Sequence, residues 1–308
     1  MNKLHLIFLL FIVKLILGLK FNDSYHMNFI ILYVYAYSRT NSHSVSASIG
    51  LINLLISTFF RYMLDDSKAY VVNSLVYGYI VLNLDNIVNI ITPYTKQIIF
   101  FSTSYIFFSI FEWIIHKYIM HCNKQSVFFY LLNLIDPNGV IEKTCDHHIE
   151  HHKEVKPNMT LSEVKYKSSL FMGWHVSIYL IVFSFISMSI SMFLSKIKIT
   201  YTILAVSSIA ITILWSYLWN KVHPLMHKYD GSYTLKEGPY ESSLNFDPVN
   251  KLFFRNHQFH HLQKGVKKGN YNIIAFGADE WFGTNVKNIN NKEYCSNPEV
   301  SHEEICKN

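Results

Sequence analysis

Charge, glycine, proline and cysteine are all scarce in this chain. Of 308 residues, 16% are Asp, Glu, Lys or Arg, with 11 Gly, 7 Pro and 4 Cys; a soluble domain carries about a quarter charged residues. Low charge and high apolar content exclude a disordered chain. The glycines and prolines are too few for a collagen-like repeat, and the cysteines too few for a disulfide scaffold. HExxH, G-x-G-x-x-G, a phosphate loop, a Ser/His/Asp order and a CxxC pair are all missing, which removes the usual helical zinc-protease site and the common nucleotide sites. Apolar residues are plentiful. Half the chain is hydrophobic, with 23 Phe, 21 Tyr and 5 Trp, arranged in long runs as a bilayer requires.

The formal charge is +6 with histidine neutral. The basic residues are spread along polar segments rather than gathered in a basic-aromatic stripe. We read them as solvated loops or contacts to anionic headgroups, and expect no nucleic-acid partner. Cys122 and Cys145 flank histidine clusters, and Cys295 and Cys306 lie near the C-terminus; reduced thiols on a cytosolic face are expected.

Residues 1–20 resemble a signal sequence whose apolar core is interrupted by Lys14. No clear small-x-small site comes after it, so an uncleaved anchor and a removed signal both stay open. Residues 22–95 hold moderately apolar pieces (28–37, 48–60, 71–92) and say little about chemistry. Three later runs, 97–115, 169–194 and 199–219, are each long enough to cross a hydrocarbon core of about 30 Å. The last two read as a hairpin around Lys196 and Lys198, so the polar regions 116–168 and 220–308 face one compartment. The first of these carries seven lysines against two in the hairpin loop, which favours the cytosolic side. Asn158-Met159-Thr160 is a sequon that matters only on a lumenal side. The division expected is a hydrophobic anchor region over 1–95, a membrane domain over 96–285 and a polar tail over 286–308.

Of sixteen histidines, ten fall in four groups. EWIIHKYIMH carries His116 and His121; CDHHIEHHKE carries His148, His151 and His152; WNKVHPLMH carries His223 and His227; RNHQFHHLQKG carries His257, His260 and His261. Helical spacing i, i+3, i+4 puts each HxxHH trio on one face. His223 and His227 are also i, i+4, at what reads as the irregular start of a helix at Pro224. His116 and His121 lie about 140° apart on a regular helix, so they serve two different metals, or the helix ends between them. Ten neutral imidazoles exceed what one ion accepts, and two ions are the economical number. Glu112, one turn before His116, is placed to receive that ring's N–H and fix its tautomer; Glu150, Asp146 and Asp230 are candidates for the same task. His147 lies off the shared face, and His5, His26, His43, His175 and His302 are isolated and read as structural.

Imidazole suits several metals. A two-metal site against a bilayer points to oxidation of unactivated C–H bonds, which needs a redox metal and O2 and so favours iron over zinc. The order HxxxxH, HxxHH, HxxxH, HxxHH, with hydrophobic spans between the second and third boxes, resembles the fatty acid hydroxylase/sterol desaturase superfamily, most closely the fatty acid 2-hydroxylases. The segment GNYNIIAFGADEWFGT (269–284) also resembles the stretch after the last box in that superfamily. The resemblance covers about residues 96–285. It implies an all-α integral membrane protein of the endoplasmic reticulum, its transmembrane helices topped by a cytosolic helical cap. The ten grouped histidines would hold two metal ions, iron expected and zinc possible after purification. One oxygen atom from O2 would enter a lipid acyl chain, with electrons supplied through cytochrome b5 and its reductase. Many 2-hydroxylases carry an N-terminal cytochrome b5 domain with an HPGG motif; residues 1–95 have neither, so the donor is expected to be a separate protein. The gaps 121–148 and 227–257 are longer than in that branch, and KEVKPNMTL replaces its proline-rich continuation.

Hydroxylation of an acyl chain at carbon 2 leads the expectations. The nearest alternative is a sterol desaturase or C4-methyl sterol oxidase using the same site. A more distant one is a non-catalytic histidine-rich membrane protein that carries or buffers zinc, but transport calls for ionisable groups within the spans, and the four boxes lie outside them.

Overall fold

The computed structural model describes residues 23–64, 66–134, 138–155, 174–227, 248–263 and 268–287, together with Asp136, Met159, Leu161 and Met172. The signal-or-anchor stretch 1–20, Asp230, Cys295 and Cys306 lie outside the described residues. Among the described residues the chain is helical and forms no strand, only an isolated bridge between Val155 and Leu161. In chain order the helices are α1 (Asp23–Thr40), α2 (His43–Met63), α3 (Asp66–Leu82), α4 (Leu84–Ile91), α5 (Thr95–Ile114), α6 (Val127–Leu134), α7 (Val140–Glu154), α8 (Trp174–Ser195), α9 (Tyr201–Met226), α10 (Pro248–Leu262) and the single turn α11 (Ala278–Trp281). A π-helical turn, Ile115–Met120, continues α5.

Among the described residues, four helical stretches are long and apolar enough to cross a membrane: His43–Met63, Leu84–Met120, Val176–Ser195 and Tyr201–Pro224. The sequence pointed firmly to only the last three. Its polar interruptions hid the first, and the structure shows why they do no harm. Ser46, Ser48 and Thr58 on α2 are buried and donate to their own helix at Ser42 O, Ser44 O and Leu54 O. Such hydroxyls are satisfied within the helix, and their small size lets α2 pack closely against α5. On the hairpin α8–α9 the outward side chains are apolar, Ile178, Val182, Val206 and Ile213 among them.

The hairpin is held by contacts that run across it, Ser177 to Ser216 (3.1 Å), Ser184 to Thr212 (3.5 Å) and Ser208 to Met188 (3.8 Å). At its closed end Phe100, Met188 and Leu204 form a buried cluster. At the open end α9 does not stop before Pro224. It runs on to Met226, so His223 sits in its last turn and His227 just after it, where the sequence suggested the start of a helix. A proline removes one hydrogen bond and crowds the preceding turn, which a helix about to end tolerates. The ends of α5 and α9 thus meet α7 and α10, and the histidine boxes share one end of the bundle.

Candidate metal centre

The π turn settles how His116 and His121 relate. The amide of His121 donates to His116 O at 3.2 Å, an i→i+5 bond, so five residues complete one turn and the two rings lie on one side. Their planes are 8° apart and their centroids 5.2 Å. Of the two sequence alternatives, separate metals do not fit, because both rings join one group, while the helix does end between them, at Met120, through a π turn. That group is His116, His121, His148, His152 and His260; a second is His151, His227, His257 and His261, and the facing nitrogens within each lie within 4.8 Å of one another. Either group could hold a metal ion. His223 borders the second group, its ring 5.1 Å from His151, 5.0 Å from His227 and 4.8 Å from His257, and stacks on Trp219 at 4.7 Å.

The two HxxHH boxes divide their rings reciprocally. On α7, His148 and His152 face the first group while His151 turns to the second; on α10, His257 and His261 face the second while His260 turns to the first. Residues i and i+4 point almost alike, whereas i+3 leans about 60° aside. Each box is therefore shared between the centres, a division the common face did not disclose.

Proton accounting shows why hydrogen bonds alone leave these groups unsatisfied. In the first group the Nε2 atoms form a chain of contacts at 3.0–3.1 Å: His116 to His148, His148 to His152, His152 to His260 and His260 to His121. An Nε2 atom offers one proton or one lone pair, so two at most of these four contacts can be ordinary hydrogen bonds. The Nδ1 atoms of His116 and His260 face backbone carbonyls, Tyr271 O at 2.6 Å and Gly269 O at 2.8 Å. A carbonyl only accepts, so both rings carry the proton on Nδ1 and turn a lone pair inward. His227 does the same from Met159 O at 3.0 Å, and its Nε2 meets His257 Nε2 at 3.0 Å. Both ring nitrogens of His151 and Nδ1 of His257 are buried without a partner. Converging lone pairs and orphaned ring nitrogens fit a bound cation.

Burial keeps the rings neutral. His148, His151, His152, His227, His257, His260 and His261 are all held well below the usual histidine range, first by desolvation and then by neighbouring imidazoles; His121 is lowered for the same reasons. Neutral imidazole is the form that binds metals.

Glu112 does not touch His116, as the sequence suggested. Its carboxylate accepts from the amides of Ile273 (3.2 Å), Ile274 (3.0 Å) and Ala275 (2.8 Å) and from Asn272 Nδ2 (3.4 Å). The helix aims it at this returning loop, and the loop, through Tyr271 O, holds His116. The segment 268–287 is thus the frame of the first centre, wedged against α2, α5 and α10. Trp281 Nε1 donates to Thr58, Trp113 Nε1 to Thr284 and Ala278 N to Ser109. Asp279 accepts from Asn272 N and Thr284 Oγ1, both at 2.6 Å. Gly269 is obligatory, since an added Cβ would overlap the Thr284 carbonyl. The sequence showed this segment only as a resemblance, because its bonds are long-range. It also gave no sign of Lys268, whose Nζ lies 3.0 Å from His121 Nδ1 and whose pKa burial lowers to about 8.

Among the other candidates, Glu150 pairs with Lys153 at 2.6 Å on the exposed face of α7, and Asp146 is exposed. His147 stays outside both groups, and His43 bonds the Tyr33 hydroxyl at 2.6 Å. Cys122 and Cys145, expected as free thiols, are joined as a disulfide. The packing of α7 on the π turn brings their Cα atoms to 5.1 Å, within bonding range.

A cavity of about 320 Å³ opens beside the histidines. His116, His148 and His223 stand at one end with Lys143, Thr144 and His147. Phe111, Ile115, Val176, Phe183, Trp215 and Trp219 form apolar walls. No family model matches the chain, and no curated protein or solved structure matches it.

Proposed function

We propose that the chain is a membrane-bound lipid hydroxylase of the dimetal type, acting on an acyl chain close to its polar head, at carbon 2. The observation that carries this reading is one juxtaposition: an apolar cavity between membrane-length helices ends on His116 and His148 of the first histidine group and on His223, which borders the second. Iron is favoured over zinc by the chemistry, since oxidation of an unactivated C–H bond needs a redox metal and zinc has no redox chemistry. Bound there, two irons would supply reduction of O2 and insertion of one oxygen atom into a C–H bond. The overall change is R–H + O2 + two electrons + two protons → R–OH + water, with electrons from a one-electron haem carrier, cytochrome b5 and its reductase.

The remaining work falls to this chain's residues. Phe111, Phe183 and Trp215 exclude water and hold the tail. Lys143, Thr144 and His147 form the polar rim, within five residues of His148 on the same helix, so a head seated there places its first carbons beside the histidines. Tyr271 O and Gly269 O fix the orientation of His116 and His260.

Metal content and O2 uptake of detergent-purified protein, with reduced cytochrome b5 and a long-chain acyl substrate, test the reading. About two irons per chain, substrate-dependent O2 uptake and a 2-hydroxy product are expected; iron-reconstituted protein that consumes no O2 would refute it. In a host lacking its own 2-hydroxylase, His148→Ala should abolish the 2-hydroxy lipid, while a changed sterol profile would move the reading to the sterol branch. The seven lysines of 116–168 favour the cytosolic face of the endoplasmic reticulum for the site. The Cys122–Cys145 bond favours instead an oxidising compartment. Glycosylation at Asn158 would decide for the lumen.

A further inference from the structure

The cavity runs away from the histidines along three helices. On α9 its lining residues are His223, Trp219, Trp215 and finally Thr212, spanning about 16 Å of helix axis. On α8 the face runs from Val176 to Ser184 and Ser187, in the antiparallel sense, as the Ser184–Thr212 contact at 3.5 Å shows. The character of the wall changes at that far end. Bulky aromatic and aliphatic side chains give way to Ser184, Ser187 and Thr212, which are 1%, 6% and 2% exposed. Immediately beyond, Met188 and Leu204 join Phe100 in the cluster that closes the hairpin. The cavity therefore ends because the core closes there, and it reaches that far because three small side chains leave space.

We propose that Ser184, Ser187 and Thr212 set the length of acyl chain the protein accepts, with Ser187 as the dominant gauge. The inference rests on the hydroxylase reading for the identity of the occupant, an unbranched acyl tail entering from the histidine end with its terminal methyl toward Ser187. Their role is one of size. Ser184 and Thr212 face each other, so their hydroxyls need not recognise a polar tail.

The test uses full-length protein in detergent and a homologous series of saturated straight-chain fatty acids. Binding is read by quenching of tryptophan fluorescence with chains brominated near the methyl end, since Trp215 and Trp219 line the path. Ser187→Val and Ser187→Leu form a graded pair, and their metal content reports folding. Chains that fill the wild-type cavity should weaken by about fourfold for each methylene excluded, more for Leu than for Val, while shorter chains keep their affinity. Ser187→Ala and Thr212→Val, which remove a hydroxyl at nearly constant size, should leave the preferred length unchanged. An unshifted length profile in Ser187→Leu with normal metal content overturns the proposal, as does loss of binding in Thr212→Val. The two readings fail separately. A length-selective site that never oxidises its ligand would refute the hydroxylase, while oxidation with an unshifted profile would refute the gauge alone.

Discussion

The two histidine groups share both HxxHH boxes, and each adds one box of its own, yet they are held differently. In the first, two of five rings are oriented by backbone carbonyls of the segment 268–287, a third faces Lys268, and Glu112 braces the loop behind them. In the second, one ring is held by a carbonyl, Met159 O, while His151 and the Nδ1 of His257 have no protein partner. A ring pinned through its outer nitrogen keeps its tautomer and direction before a metal arrives. We read the first centre as preorganised by protein and the second as depending more on its ion.

The contrast can be broken, most strongly by removing ligands. His148→Ala should empty the first centre and His257→Ala the second, each leaving about one ion per chain and weakening its own site by more than the 10–100-fold typical of outer partners. Metal analysis checks this; loss of both ions from either variant would show one coupled cluster. Gly269→Ala should come next. Its Cβ displaces the Thr284 carbonyl and drags Gly269 O from His260, so the first centre should lose about 10–100-fold in affinity while the second keeps its ion. Glu112→Gln exchanges an acceptor oxygen for a donor among four donors, and should lower stability by about 1–3 kcal/mol in thermal unfolding without altering the second centre.

Acid should act on both centres together. Unfolded histidines take up protons as pH falls through about 6.5, whereas His148, His151, His257 and His260 resist in the folded state. Below that pH the unfolded chain binds more protons, so stability falls with falling pH and is insensitive to these groups above it. Metal release and loss of helical circular dichroism should coincide; release from one centre well before unfolding would separate them. The smallest effect is expected from Lys268→Met. Removing a cation 3.0 Å from His121 Nδ1 should tighten the first centre by less than about tenfold and leave the second unmoved, as competition with a chelator would report.

Much of the helical content, the nine histidines of the two groups and the bordering His223 were legible from local pattern. Apolar runs of membrane length announced α5, α8 and α9, and HxxHH spacing put three rings on a face. α2 was obscured because its serines and Thr58 look polar in sequence although their hydroxyls bond within the helix. The allocation of rings was not legible either. His116 and His121 share a centre only because the backbone adopts a π turn, and the sequence names no such turn. Glu112 stood at the right spacing for His116, but its real partners are amides some 160 residues away.

Sequence by itself determined which side chains could hold metal, since imidazoles at i, i+3 and i+4 are a property of local spacing. Tertiary structure alone decided how those imidazoles divide between two centres, which outer atoms fix their protons, and where the cavity ends. Those features depend on contacts between segments far apart in the chain, such as Gly269 with Thr284 and Ser184 with Thr212, and periodicity along one helix carries no information about what packs against it.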